Sequence, residues 1–116
     1  MRQEIKRLIG ARLDSIDLSA DKVTVTLKTD RGVMRMEAEG DCCSRSWFAV
    51  VEPDDWALGH KVTAFDFNDI DAVEQQDGEL KIYFGTIKTE TGRIDMEMRN
   101  ASNGYYGGTV VVRWEE

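Results

Sequence analysis

The stretch Thr26-Leu27-Lys28-Thr29-Asp30-Arg31-Gly32-Val33-Met34-Arg35-Met36-Glu37 alternates apolar and polar side chains on either side of a turn. Val23, Val25 and Leu27 share one face, Thr24, Thr26 and Lys28 the other, and Met34, Met36 and Ala38 fall together after the turn. That period of two is the mark of a half-buried β-hairpin. Sixty residues on stands Thr86-Ile87-Lys88-Thr89-Glu90-Thr91-Gly92-Arg93-Ile94-Asp95-Met96-Glu97, with six of the twelve positions identical. The chain therefore holds two hairpins of matching pattern, whether by common ancestry or because hairpins converge easily. Each leads into an irregular motif: Gly40-Asp41-Cys42-Cys43-Ser44 after the first, and Asn100-Ala101-Ser102-Asn103-Gly104-Tyr105-Tyr106-Gly107-Gly108 after the second. Hairpins with related placement in one sheet bring Gly40 and Asn100 to the same rim, and with them the two motifs.

The remaining segments follow the same logic. Met1, Ile5, Leu8 and Ile9 stand at helical spacing before Gly10, which predicts a short opening helix or turn. Leu13–Leu18, Lys61–Phe67, Glu79–Thr89 and Thr109–Trp114 read as further strands, and Asp77-Gly78 as a turn. Arg45–Val51, with Asp41 or Ser44 as cap and Pro53 beyond it, reads as a short helix; Asn68–Gln76 reads as an acidic helical turn. The expected fold is α+β: a mostly antiparallel sheet of about six or seven strands with one or two short helices on one face. A chain of 116 residues is expected to form a single domain, residues 1–116. Val23, Val25, Leu27, Met34, Met36, Trp47, Val62, Leu80, Ile82, Ile94, Met96, Val110 and Val112 are the expected core.

Composition excludes several classes. The net charge is −7, and ten of the 22 acidic residues lie in residues 41–80 against two basic ones. Such a chain is a poor general binder of nucleic-acid duplexes, whose affinity rests on neutralised phosphates. No apolar run is long enough to span a bilayer and no secretory pattern opens the chain, so a cytoplasmic setting is expected and no membrane contact. Cys42 and Cys43 are adjacent, which disfavours a relaxed bond between them, and with one His in the chain they leave a zinc site incomplete. Their simplest reading is two small residues at a tight junction. His60 stands alone as a structural histidine, and Asp66, Asp69, Asp71 and Glu74 read as a solvated acidic face rather than a cation loop. No metal site, cofactor motif or catalytic constellation emerges.

Binding is the better-supported chemistry. Asn103-Gly104 and Gly107-Gly108 free the backbone around Tyr105 and Tyr106, so that a ring and N–H groups can meet a planar ligand; the same residues also suit a plain hairpin turn and bulge. Arg99 can fork a phosphate or carboxylate, Asn100 and Asn103 offer polar edges, and Trp47 offers either core packing or a stacking surface. The candidate ligand-binding set is Asp41, Cys42, Cys43, Ser44, Trp47, Arg99, Asn100, Asn103, Tyr105 and Tyr106.

The motifs Gly40-Asp41-Cys42-Cys43-Ser44-Arg45-Ser46-Trp47-Phe48 and Arg99-Asn100-Ala101-Ser102-Asn103-Gly104-Tyr105-Tyr106-Gly107-Gly108 resemble a small phage-associated domain family of unknown function. Ala101 stands where that motif more usually has serine. The size, the strand-rich pattern and the aromatic, Arg and Asn set are more distantly similar to the phage anti-Thoeris sponge proteins, which sequester cyclic ADP-ribose signals without cleaving them. These resemblances imply a non-enzymatic phage or prophage accessory protein that binds a small nucleotide-like signal in an infected host, alone or as a homo-oligomer. Two other readings stand beside it. The acidic residues of segment 52–79 would cover a basic surface on a host nucleic-acid-handling or defence enzyme. Alternatively, Cys42 or Cys43 would serve a thiol-dependent enzyme.

Overall fold

The computed structural model describes residues 2–40, 45–53, 56–75, 78–102 and 108–115. A short helix, α1 (Arg2–Leu8), precedes the strands β1 (Arg12–Leu18), β2 (Thr24–Thr29), β3 (Gly32–Gly40), β4 (Arg45–Pro53), β5 (His60–Gln75), β6 (Gly78–Thr89), β7 (Arg93–Ser102) and β8 (Gly108–Glu115). Neighbouring strands pair antiparallel in the spatial order β4-β7-β6-β5-β1-β2-β3-β8. Among the described residues no helix is long and apolar enough to cross a membrane.

The two hairpins carry identical registers. Val25 faces Met36, Leu27 faces Met34 and Thr26 faces Arg35; sixty residues on, Gly85 faces Met96, Ile87 faces Ile94 and Thr86 faces Asp95. The turns close alike. Thr29 Oγ1 donates to Gly32 O at 2.8 Å and Thr89 Oγ1 to Gly92 O at 3.2 Å. Each turn acid also latches onto the first strand of its own half. Arg12 N donates to the Asp30 carboxylate at 2.9 Å, and Lys61 N to the Glu90 carboxylate at 3.1 Å. Where the halves join, Gly10 N donates to Val62 O at 2.8 Å and Gly59 N to Leu13 O at 2.7 Å, with φ of 88° and 85° at the two glycines.

The chain is thus two β-meanders, β1–β3 and β5–β7, related by a local twofold between β1 and β5. Their fourth strands are exchanged. β4 leaves the first meander and pairs with β7, while β8 leaves the second and pairs with β3. The sheet folds over so that inner faces of both halves form one core, including Val25, Leu27, Met34, Met36, Phe48, Ile87, Ile94, Met96 and Met98. Removing such apolar surface from water is the main stabilising term. The exchange welds the halves: Phe48, fully buried on β4, also donates its N–H to Lys22 O, in the connection between β1 and β2, at 2.7 Å.

These observations correct the expected α+β class. The fold is nearly all sheet, with eight strands and one short helix in the described residues. The extra strand is β4, where a helix was expected over Arg45–Val51. Its inward residues are Ser46 and Phe48, then Val51 after an irregularity between Phe48 and Val50. That shift breaks the period of two and leaves Phe48 and Val51 at a helix-like interval. Pro53 is tolerated because β4 is a terminal strand of the sheet. The helical turn expected over Asn68–Gln76 is instead the far half of β5, paired with β6 as far as Gln75 opposite Gly78. Trp47 does not enter the core; Phe48 does, and Trp47 is half-buried on the opposite face. Ile82 is likewise only half-buried.

Candidate functional site

Of the expected site residues, Asp41, Cys42, Cys43, Ser44, Asn103, Tyr105 and Tyr106 lie outside the described residues, and Trp47, Arg99 and Asn100 lie within them. Trp47 and Arg99 stand directly opposite each other across β4 and β7. The Arg45 guanidinium sits over the Trp47 ring, 5.6 Å from its centre. Arg99 is 38% exposed, and both its Nε and Nη2 reach Glu97 Oε2, at 3.3 and 3.1 Å. Its charge is therefore shared with a carboxylate before any ligand arrives.

Asn100 faces the other way. The alternation that buries Met96 and Met98 buries Asn100 completely. Its Nδ2 donates to Ser46 Oγ at 2.8 Å, and Ser46 Oγ donates to Glu39 O at 3.0 Å. Ser46 thus ties the end of β7 to the end of β3, so the exits of both hairpins meet at β4. Asn100 Oδ1 has no partner among the described residues. Leaving a buried acceptor unpaired costs about 1–3 kcal/mol.

The outward face of β4, β7 and β6 carries features that belong to no sequence motif. Val50, Glu52, Phe84, Thr86, Asp95 and Glu97 line a cavity of about 340 Å³. Register explains the grouping: Val50 and Phe84 flank Glu97, and Glu52 and Thr86 flank Asp95. Phe84 is 42% exposed, a high value for a strand aromatic. Glu97 is 13% exposed and held by Arg99; Asp95 accepts from Thr86 Oγ1 and pairs with Arg93, each at 3.3 Å. The cavity thus joins apolar area to three carboxylates. Its signal in the sequence is the outward alternation of Ile82, Phe84 and Thr86, which places an aromatic ring on the face that should be polar.

A second hollow, of about 310 Å³, lies toward the β6–β7 turn and is lined by Thr63, Lys88, Thr89, Gly92 and Arg93. Thr89 and Gly92 are there to close the turn. Among the described residues no three His, Cys, Asp or Glu side chains come together as a metal-holding group.

The chain belongs to a family defined by a domain of unknown function, DUF7448, whose pattern matches residues 6–112. That span runs from within α1 to within β8 and takes in both meanders, β4 and the first part of β8. No curated protein and no solved structure matches the chain.

Proposed function

We propose that the protein is a non-catalytic binding module that works through the outward face of β4, β7 and β6. Its partner is a protein surface that sets basic side chains beside apolar ones. The carrying observation is the cavity in which exposed Phe84 and half-buried Val50 stand among Glu52, Asp95 and Glu97. Apolar contact supplies affinity, while the carboxylates select for cations and speed their approach. Enzymes that handle nucleic acids present such basic surfaces, because phosphate contacts dominate their binding. An acidic accessory protein that covers one blocks the enzyme without chemistry of its own. This moves the inhibitory surface from segment 52–79 as a whole to Glu52 and the outer face of the second hairpin.

The test uses an extended peptide alternating lysine and leucine, with a glutamate–leucine peptide as control. The lysine peptide is expected to shift the amide resonances of Val50, Phe84 and Thr86, and to lose affinity as salt shortens the screening length from about 30 Å to about 3 Å. Glu52→Lys with Asp95→Lys is expected to abolish the shifts. Equal response to both peptides, or to neither, overturns the reading.

Capture of a nucleotide-like signal has one observation in its favour: Trp47 with Arg45 and Arg99 beside it. A base stacked on Trp47 would gain about 1–3 kcal/mol. Titration with cyclic di- and trinucleotides and cyclic ADP-ribose isomers decides it. Binding tighter than about 0.1 mM, equivalent to about −5.5 kcal/mol, supports it and its absence removes it.

A further inference from the structure

The twofold relation gives the outward face of β4, β7 and β6 a counterpart on β8, β3 and β2. On the first face Glu52 stands opposite Asp95 and Val50 opposite Glu97. On the second Arg113 stands opposite Arg35 and Val111 opposite Glu37. Thr86 beside Asp95 becomes Thr26 beside Arg35. Valine, threonine and glutamate are thus kept at equivalent places, and the charge pair at the centre is reversed in sign.

Each pair sets like charges directly across two strands, which is unfavourable within one molecule. Each is also compensated in the same partial way. Arg93 pairs with Asp95 while, among the described residues, Glu52 has no ion-pair partner; Glu115 pairs with Arg35 while Arg113 has none. All four side chains reach solvent: Glu52 and Arg113 are exposed, and the Asp95 and Arg35 side chains are 49% and 39% exposed. Lys88 and Arg93 form a further basic pair toward the turn of the first face, so the reversal is confined to the central position.

We infer that the second face is a self-association surface: the Arg35–Arg113 pair of one copy docks on the Glu52–Asp95 pair of the next. Each pair then finds opposite charge where the monomer gives it like charge. Different patches of the two copies meet, so the contact is head-to-tail and leaves a free face at each end. Because it occupies the Glu52–Asp95 face, self-association competes with the partner proposed above. It does not depend on that partner existing.

The test is sedimentation of the whole chain between about 10 µM and about 1 mM protein, at about 0.01 M and about 1 M salt. The wild type is expected to rise to at least twice the monomer mass at low salt and to return to monomer at high salt. Glu52→Lys with Asp95→Lys makes both faces basic; Arg35→Glu with Arg113→Glu makes both acidic. Each variant alone is expected to stay monomeric, and an equimolar mixture to associate. A wild type that is monomeric throughout, a variant that associates like the wild type, or a mixture that stays monomeric overturns the inference. Circular dichroism checks folding, and Glu52→Gln with Asp95→Asn replaces a reversal that fails to fold. Arg35→Glu with Arg113→Glu is expected to keep the lysine-peptide response, so loss of self-association and loss of partner binding are separately visible.

Discussion

The two halves of the molecule share a backbone and differ in what they put on it. Their hairpins have the same register, the same threonine-closed turns and the same acid latch to the preceding strand. Inside, the halves are both apolar. Outside, the second half has Phe84, Asp95 and, from the exchanged β4, Glu52, where the first has Thr24, Arg35 and, from β8, Arg113. Inward residues are constrained by packing in a shared core, and turn residues by the hydrogen bonds that close the turn. Outward residues are under neither constraint, so the difference between the halves marks where function has room to act.

The largest break in the comparison is in the exchanged strands. Phe48 faces Met98 on β4–β7, and its counterpart Val110 faces Ala38 on β8–β3. Phe48 is fully buried, while Val110 is only partly so. Phe48→Ala is expected to cost about 3–5 kcal/mol by chemical denaturation, the range for buried aromatic truncation. Val110→Ala is expected to cost about 1 kcal/mol, from two methyl groups partly withdrawn from water. Equal costs would mean that the two exchanges do not contribute unequally.

The turn glycines give the next largest effect. Gly32 has φ 123°, and an added Cβ would stand 2.6 Å from Glu115 O. Gly92 has no positive φ, and its added Cβ would meet Ala57 N at 2.9 Å. Gly32→Ala therefore suffers both backbone strain and overpacking, about 2–4 kcal/mol. Gly92→Ala suffers overpacking alone, about 1–2 kcal/mol. Thermal melts of the two variants check the order; a milder Gly32→Ala would contradict it.

The smallest effect sharpens the likeness instead. Thr29→Ala and Thr89→Ala each remove the hydroxyl that closes a turn, at about 1 kcal/mol. Two strands, β5 and β1, stand between β6 and β2, a separation of about 14 Å, so the double variant is expected to show the sum within about 0.5 kcal/mol. Costs that differ by more than about 1 kcal/mol would show that the turns are not equivalent.

What was legible in the sequence follows from the same contrast. The hairpins could be read because alternation, turn chemistry and repetition agree within twelve residues. β4 could not, because its irregularity near Ala49 puts Phe48 and Val51 three apart and hides the strand period. In the far half of β5 the apolar residues Phe67, Ile70 and Val73 stand three apart, and the register shifts between Ile70 and Ala72, so the strand period is hidden there too. The exchange of β4 and β8 is a choice of distant partners, and no local signal encodes it. The burial of Asn100 was within reach, since Met96, Met98 and Asn100 stand two apart on one strand. The motif around it points to a ligand contact, but the alternation decides which face it takes. Phe84 is the reverse case: it belongs to no motif, and only its place on the outward face distinguishes it.

The contrast between the two outer faces is tested most directly by diluting isotope-labelled wild-type protein at low salt and following its amide resonances. The expected result is that Glu52 and Asp95 on one face, and Arg35 and Arg113 on the other, shift along a single curve. The turn residues Thr29 and Thr89 should not move. Shifts confined to one face, or none across the whole concentration range, would contradict the claim that the halves of this molecule carry complementary surfaces.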